Sequence, residues 1–188
     1  MPLNLRTYSP VETPQLSDNP LTVAQLDAMA DDILAYVERY RPEYVLLCRL
    51  QRNCGNRITE MFQPSRWIFP QGVNVQIQPQ KGNATRVIPL ADLGFTSAAE
   101  MAPTIADMAR LPKGQYERIF AKAVRDIGLW RLYEGGFLHP STHFFRHLKI
   151  KMLNSQGFDK NFIANYIGEK KISNLDYYLD SQYFAEIR

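Results

Sequence analysis

Leu26, Met29, Ile33, Leu34 and Val37 recur at the three-and-four spacing of a single helical face. Thr22 followed three residues later by Gln25 is a capping-box pair, so a helix is predicted from about Thr22 to Tyr40. Pro42 suits the first turn of a second helix. The run Tyr44, Val45, Leu46, Leu47, Cys48 and Leu50 is apolar enough to be buried nearly all round, and Gly55 should end or bend it. Beyond Pro64 the period changes from helical to alternating. Trp67 to Phe69, then Val73, Val75 and Ile77, then Thr85 to Leu90 read as short strands, with Lys81, Gly82 and Asn83 between the last two. From Thr96 the helical pattern returns in segments near Ser97 to Arg110, Gly114 to Ile127, Ser141 to Ser155, Asp159 to Ile167 and Ile172 to Phe184. Pro112, Gly128, Gly135 with Gly136, Gly157 and Gly168 separate them. The pattern predicts an α+β fold, mainly helical, with helices around a small antiparallel β-sheet.

Residues 1 to 20 carry Pro2, Pro10, Pro14 and Pro20 among polar residues and read as an extended leader or linker remnant, which leaves 21 to 188 as one domain. A chain of 188 residues, 45% of them hydrophobic, can bury one sizeable core. The net charge of +3 is small but unevenly placed. Residues 1 to 109 hold 9 Lys and Arg against 11 Asp and Glu, whereas residues 110 to 188 hold 13 against 8. On charge alone, a DNA-facing C-terminal half and a chance asymmetry are equally good readings. Cys48 and Cys54 fit neither a disulfide framework nor a zinc motif and read as core residues in a reducing compartment. The N-terminus lacks the basic and apolar regions of a signal peptide, and no stretch is long enough to span a bilayer. A cytoplasmic protein with no membrane partner is expected.

His143 and Arg146 lie three apart on the helix that Ser141 or Thr142 would cap, with His147 beside both. A guanidinium can clamp two phosphate oxygens and an imidazole can pass a proton near neutral pH, so the pair suits a phosphodiester. Alone, the pair is a weak signal. His139, His143 and His147 recur every fourth residue, but Pro140 disfavours helical geometry at His139, and no cysteine or carboxylate pair completes a site. No metal is expected.

The segment does not stand alone. Gly55, Asn56, Arg57, Ile58, Thr59 and Glu60 resemble a Gly two residues before an invariant Arg, then a small residue and a Glu. Lys81 through Leu90 resembles a β-hairpin with a catalytic lysine, followed by Arg, two apolar residues and Pro-Leu. His143, Phe144, Phe145 and Arg146 are similar to a His-x-x-Arg box. Gly168 and Glu169 precede Tyr178 as a closing Gly-His or Gly-Trp pair precedes a nucleophilic tyrosine. In order and distance these motifs resemble the catalytic domain of the tyrosine recombinase (phage integrase) family, and that resemblance implies its catalytic-domain fold.

The resemblance further implies a site-specific recombinase or integrase that cuts and rejoins duplex DNA. Tyr178 would attack to give a 3′-phosphotyrosyl link, Arg57 and Arg146 would grip the non-bridging oxygens, Lys81 would protonate the leaving 5′-oxygen, and His143 would assist proton transfer. Glu60, His147, Glu169 and Lys170 would line the site. No cofactor is implied, because the covalent link conserves the phosphodiester energy. The expected partners are double-stranded DNA and further copies of the chain, four in the assembly on DNA, at the nucleoid. Glu169 departs from the pattern, since a carboxylate cannot donate a hydrogen bond to a phosphate unless protonated. Two outcomes are expected. Either Glu169 turns away and Lys170 or Lys171 supplies the contact, or the site is weakened and the protein is mainly a DNA binder.

Overall fold

The computed structural model describes residues 22–79, 84–127 and 143–180. The leader expected at residues 1 to 20 lies outside them. Helix α1 (Val23–Tyr40) begins at the predicted cap: Thr22 Oγ1 accepts from the Gln25 N–H at 3.1 Å, and Gln25 Oε1 accepts from the Thr22 N–H at 2.8 Å. Its inward stripe, Leu26, Met29, Ile33 and Val37, is buried. A 3₁₀ turn at Pro42–Tyr44 leads into α2 (Val45–Cys54). This helix is not buried all round as expected. Tyr44, Leu47, Cys48 and Leu50 are buried, but Val45 and Leu46 are only partly so and Arg49 is exposed, where it pairs with Glu38 at 3.1 Å. The helix packs on α1 and on helices later in the chain. Both cysteines are buried free thiols.

Strands β1 (Trp67–Gln71), β2 (Asn74–Ile77) and β3 (Arg86–Pro89) form an antiparallel sheet in the order β1-β2-β3. Ile77 lies opposite Trp67 on one side and Arg86 on the other, and Val75 lies opposite Ile88. Alternation therefore places Val75, Ile77, Ile88 and also Arg86 on the buried face. Val73, expected to share that face, is 67% exposed in the turn before β2, where its carbonyl accepts from the Leu90 N–H at 2.9 Å. The alternation holds only as far as the strand does.

The segment predicted as one helix from Ser97 is a 3₁₀ turn, Ala98–Met101, followed by α3 (Ala102–Arg110). Pro103 lies in the first turn of α3, where its missing N–H leaves no helix bond unmade. Helix α4 (Lys113–Asp126) follows. Helix α5 (Phe144–Ser155) runs through the middle and packs against α1 and α2, α6 (Lys160–Ile167) and α7 (Ser173–Asp180). Phe144, Phe145, Leu148, Ile150 and Leu153 of α5 are all buried. Its N-cap position is His143, whose side chain makes no cap bond; Ser141 and Thr142, the expected caps, lie outside the described residues. Among the described residues, no helix is long and apolar enough to cross a membrane, and no group of His, Cys, Asp or Glu could hold a metal ion.

Candidate functional site

Three segments meet at the candidate site. The first is the turn that follows α2. Gly55, at φ +65°, donates its N–H to the Gln51 carbonyl at 2.8 Å and reverses the chain. A Cβ there would stand 2.9 Å from both Ile167 Cδ1 and Lys149 Cβ, so glycine also allows the turn to sit close against α5 and α6. Arg57 comes next. Glu60, buried to 1% exposure, accepts the Arg57 backbone N–H on Oε2 at 3.2 Å, and its carbonyl accepts from Trp67 Nε1 at 2.9 Å. Glu60 thus braces the turn from beneath and does not line an open surface.

The second segment is α5 itself. The Arg146 side chain is fully buried, and its Nη1 donates to the carbonyls of Gly55 at 3.2 Å and Ile167 at 3.0 Å. Those bonds tie the end of α2 to the end of α6. The third segment is the exit from α6, where Gly168 at φ +80° turns the chain and delivers Glu169. Glu169 Oε1 accepts from Arg57 Nη2 and from Arg146 Nη2, each at 2.7 Å, and Oε2 accepts from Asn174 Nδ2 at 3.3 Å. The sequence-based alternative in which Glu169 turns away, leaving Lys170 or Lys171 to make the contact, is therefore corrected. The carboxylate points into the pair of guanidiniums, because their combined charge is its nearest compensation, and both lysines are exposed. Burial pushes the Glu169 carboxyl upward, but the hydrogen bond and charge of Arg146, then Asn174 and Arg57, outweigh it and hold the pKa below the ordinary carboxylate value.

His143 belongs to the same cluster. Burial, then the charges of Arg146 and Arg57, lower its pKa to about 4 against an opposing pull from Glu169. His147 packs edge-on to His143 with ring centroids 5.8 Å apart, and burial above all lowers it further, to about 2. At neutral pH both rings are uncharged, so the positive charge facing Glu169 comes from the arginines. Lys81 lies outside the described residues. Tyr178 is placed by its backbone in α7, one helical turn beyond Asn174, and its side chain lies outside the description.

One supporting residue had no role assigned from sequence. Arg86, 1% exposed, donates Nε to the Tyr166 carbonyl at 2.6 Å, Nη2 to the Cys54 carbonyl at 2.5 Å, and Nη1 to Asn56 Oδ1. It joins the end of α2 to the last turn of α6 beneath the site. The signal was available, since strand alternation puts Arg86 on the same face as Ile88.

No protein-family model matches the sequence, and no curated protein does. Solved structures do. A lambda integrase dimer bound to a COC' core site superposes with a TM-score of 0.61 at 19% identity, covering 90% of this chain and 51% of that one. A lambda integrase tetramer bound to a Holliday junction gives 0.59 at 20% identity, covering 90% and 51%. XerA recombinase gives 0.57 at 15% identity, covering 88% and 61%. The chain spans between half and about three fifths of the length of these structures. The fold is that of the tyrosine recombinase catalytic domain.

Proposed function

We propose that this chain is the strand-transfer domain of a DNA recombinase, cutting and rejoining duplex DNA through a 3′-phosphotyrosyl intermediate. The observation that supports this best is the convergence of Arg57 and Arg146, from distant parts of the chain, on one oxygen at 2.7 Å each. Two guanidiniums set about a single anionic oxygen are what a phosphodiester gaining charge in its pentavalent transition state requires.

In the proposed reaction the Tyr178 phenolic oxygen attacks phosphorus, the bond from phosphorus to the 5′-oxygen breaks, and Lys81 gives that oxygen its proton. His143, neutral and beside the arginines, takes part in moving the phenolic proton. A second 5′-hydroxyl reverses the step, so one phosphodiester is exchanged for another and the scheme calls for no cofactor. By likeness to the integrase dimer and tetramer on DNA, the partners are double-stranded DNA and other copies of this chain, acting as a tetramer at the nucleoid. Integration or resolution of mobile DNA is the corresponding role.

A specific observation favours a second reading. Glu169 fills the space between the arginines, as a protein that binds DNA without cutting it could afford. A duplex nicked next to the cleavage position separates the two, because the released fragment diffuses away and traps the covalent complex. A protein-DNA adduct that disappears in Tyr178→Phe supports strand transfer; duplex binding without any adduct supports the silent binder.

A further inference from the structure

The oxygen held between the two guanidiniums belongs to the chain itself. At 2.7 Å from each Nη2, Glu169 Oε1 makes charge-assisted bonds with the donors that a phosphate oxygen would need. Arg146 has little else to offer an anion. Its side chain is fully buried and its Nη1 is engaged by the Gly55 and Ile167 carbonyls. Nε is also buried and has no hydrogen-bond partner among the described residues. Nε and Nη2 form one edge of the guanidinium fork, and Glu169 reaches only Nη2. A phosphate, with oxygens to spare, can take both. Glu169 in turn has a second partner, since Oε2 accepts from Asn174 Nδ2 at 3.3 Å. Asn174 is exposed and lies in the first turn of α7, the helix that carries Tyr178.

We propose that Glu169 is a positioning residue that acts as the resident anion of this site, holding Arg57 and Arg146 together until a DNA phosphate displaces it toward Asn174. The inference rests on the reading above that the site takes a phosphodiester. It makes Glu169 a determinant of specificity. A free inorganic phosphate must displace the carboxylate unaided, whereas a duplex phosphate is delivered by contacts elsewhere along the backbone that offset the exchange. The exchange also reaches α7, because the displaced carboxylate keeps Asn174 as its partner. Gly168 need not move, which matters because a Cβ there would already stand 2.7 Å from Arg86 Cγ.

The test is the shift in melting temperature of the whole chain with inorganic phosphate, against chloride at matched ionic strength. Wild type should respond weakly. Glu169→Gln, which keeps the shape and removes the competing charge, should bind phosphate more tightly by on the order of tenfold, the factor carried by one displaced charge-assisted contact. Adding Arg57→Ala should abolish that gain. A Glu169→Gln protein that responds no more than wild type, or a gain that survives Arg57→Ala, overturns the proposal. A purely structural tie would lower the melting temperature without changing its response to phosphate. Should Glu169→Gln not fold, Glu169→Asp decides: its shorter reach weakens the carboxylate's hold, so the phosphate response grows, and an unchanged response overturns the idea. The nicked-duplex assay keeps the two readings apart. Adduct formation by wild type without a phosphate gain in Glu169→Gln sinks only the resident-anion role. The gain without any adduct sinks only strand transfer.

Discussion

His143, partly buried beside Arg146 and Arg57, and His147, buried one turn further along α5, both resist protonation. Their folded pKa values lie below the ordinary value of 6.5. As pH falls below 6.5 the unfolded chain takes up protons that the folded chain refuses, so stability is lost with falling pH, down to about 4 for His143. Each ring contributes at most about 1.4 kcal/mol per pH unit. Urea unfolding at pH 7.5, 6 and 5 should show this loss, and His147→Gln should roughly halve its slope; a slope unchanged in the variant would mean that His147 titrates normally. Glu60 and Arg86 illustrate the other residue-scale outcome. Each was legible as a charged residue in a motif, yet each is buried to 1% exposure and fixes the backbone around Arg57.

At the scale of elements, the site depends on how α2 and α6 end. Both helices stop at a glycine of positive φ, and in each case the next residues enter the site: Arg57 after Gly55, Glu169 after Gly168. Gly168 is the more constrained by its neighbours. Its φ is +80°, and a Cβ would meet Arg86 Cγ at 2.7 Å, Arg86 Cδ at 2.8 Å and the Ala84 carbonyl oxygen at 3.1 Å. Arg86 cannot retreat, because its guanidinium is bonded to Tyr166, Cys54 and Asn56. Gly168→Ala should therefore destabilise the protein by about 2–4 kcal/mol, combining backbone strain and overpacking. Denaturant melts measure this directly, and a loss below about 0.5 kcal/mol, the range of an ordinary surface substitution, would contradict the close packing of α6 on β3.

Over the whole molecule, residues 110 to 188 carry 13 Lys and Arg against 8 Asp and Glu, an excess that the proposed DNA binding would draw on. Binding led by phosphate contacts should be salt-sensitive. For a surface making about four phosphate contacts, affinity should drop on the order of a hundredfold between 50 and 200 mM salt. Fluorescence anisotropy of a labelled duplex across that range tests this, and an affinity that stayed flat would argue against phosphate-led binding.

The sequence alone was enough to determine most of the helices and strands, most of the buried stripe of α1, and the motifs in which Arg57, His143, Arg146 and the departure at Glu169 lie. Hydrophobic period and motif spacing are local properties, and they survive without any knowledge of contacts. Tertiary structure alone decided where Glu169 points. That depends on Arg57, Arg146 and Asn174 arriving from the turn after α2, from α5 and from α7, and a buried carboxylate goes where its compensating charges are. The same dependence on distant partners explains why the incomplete burial of α2 and the bracing role of Glu60 could not be read from spacing, whereas strand alternation already put Arg86 on the buried face.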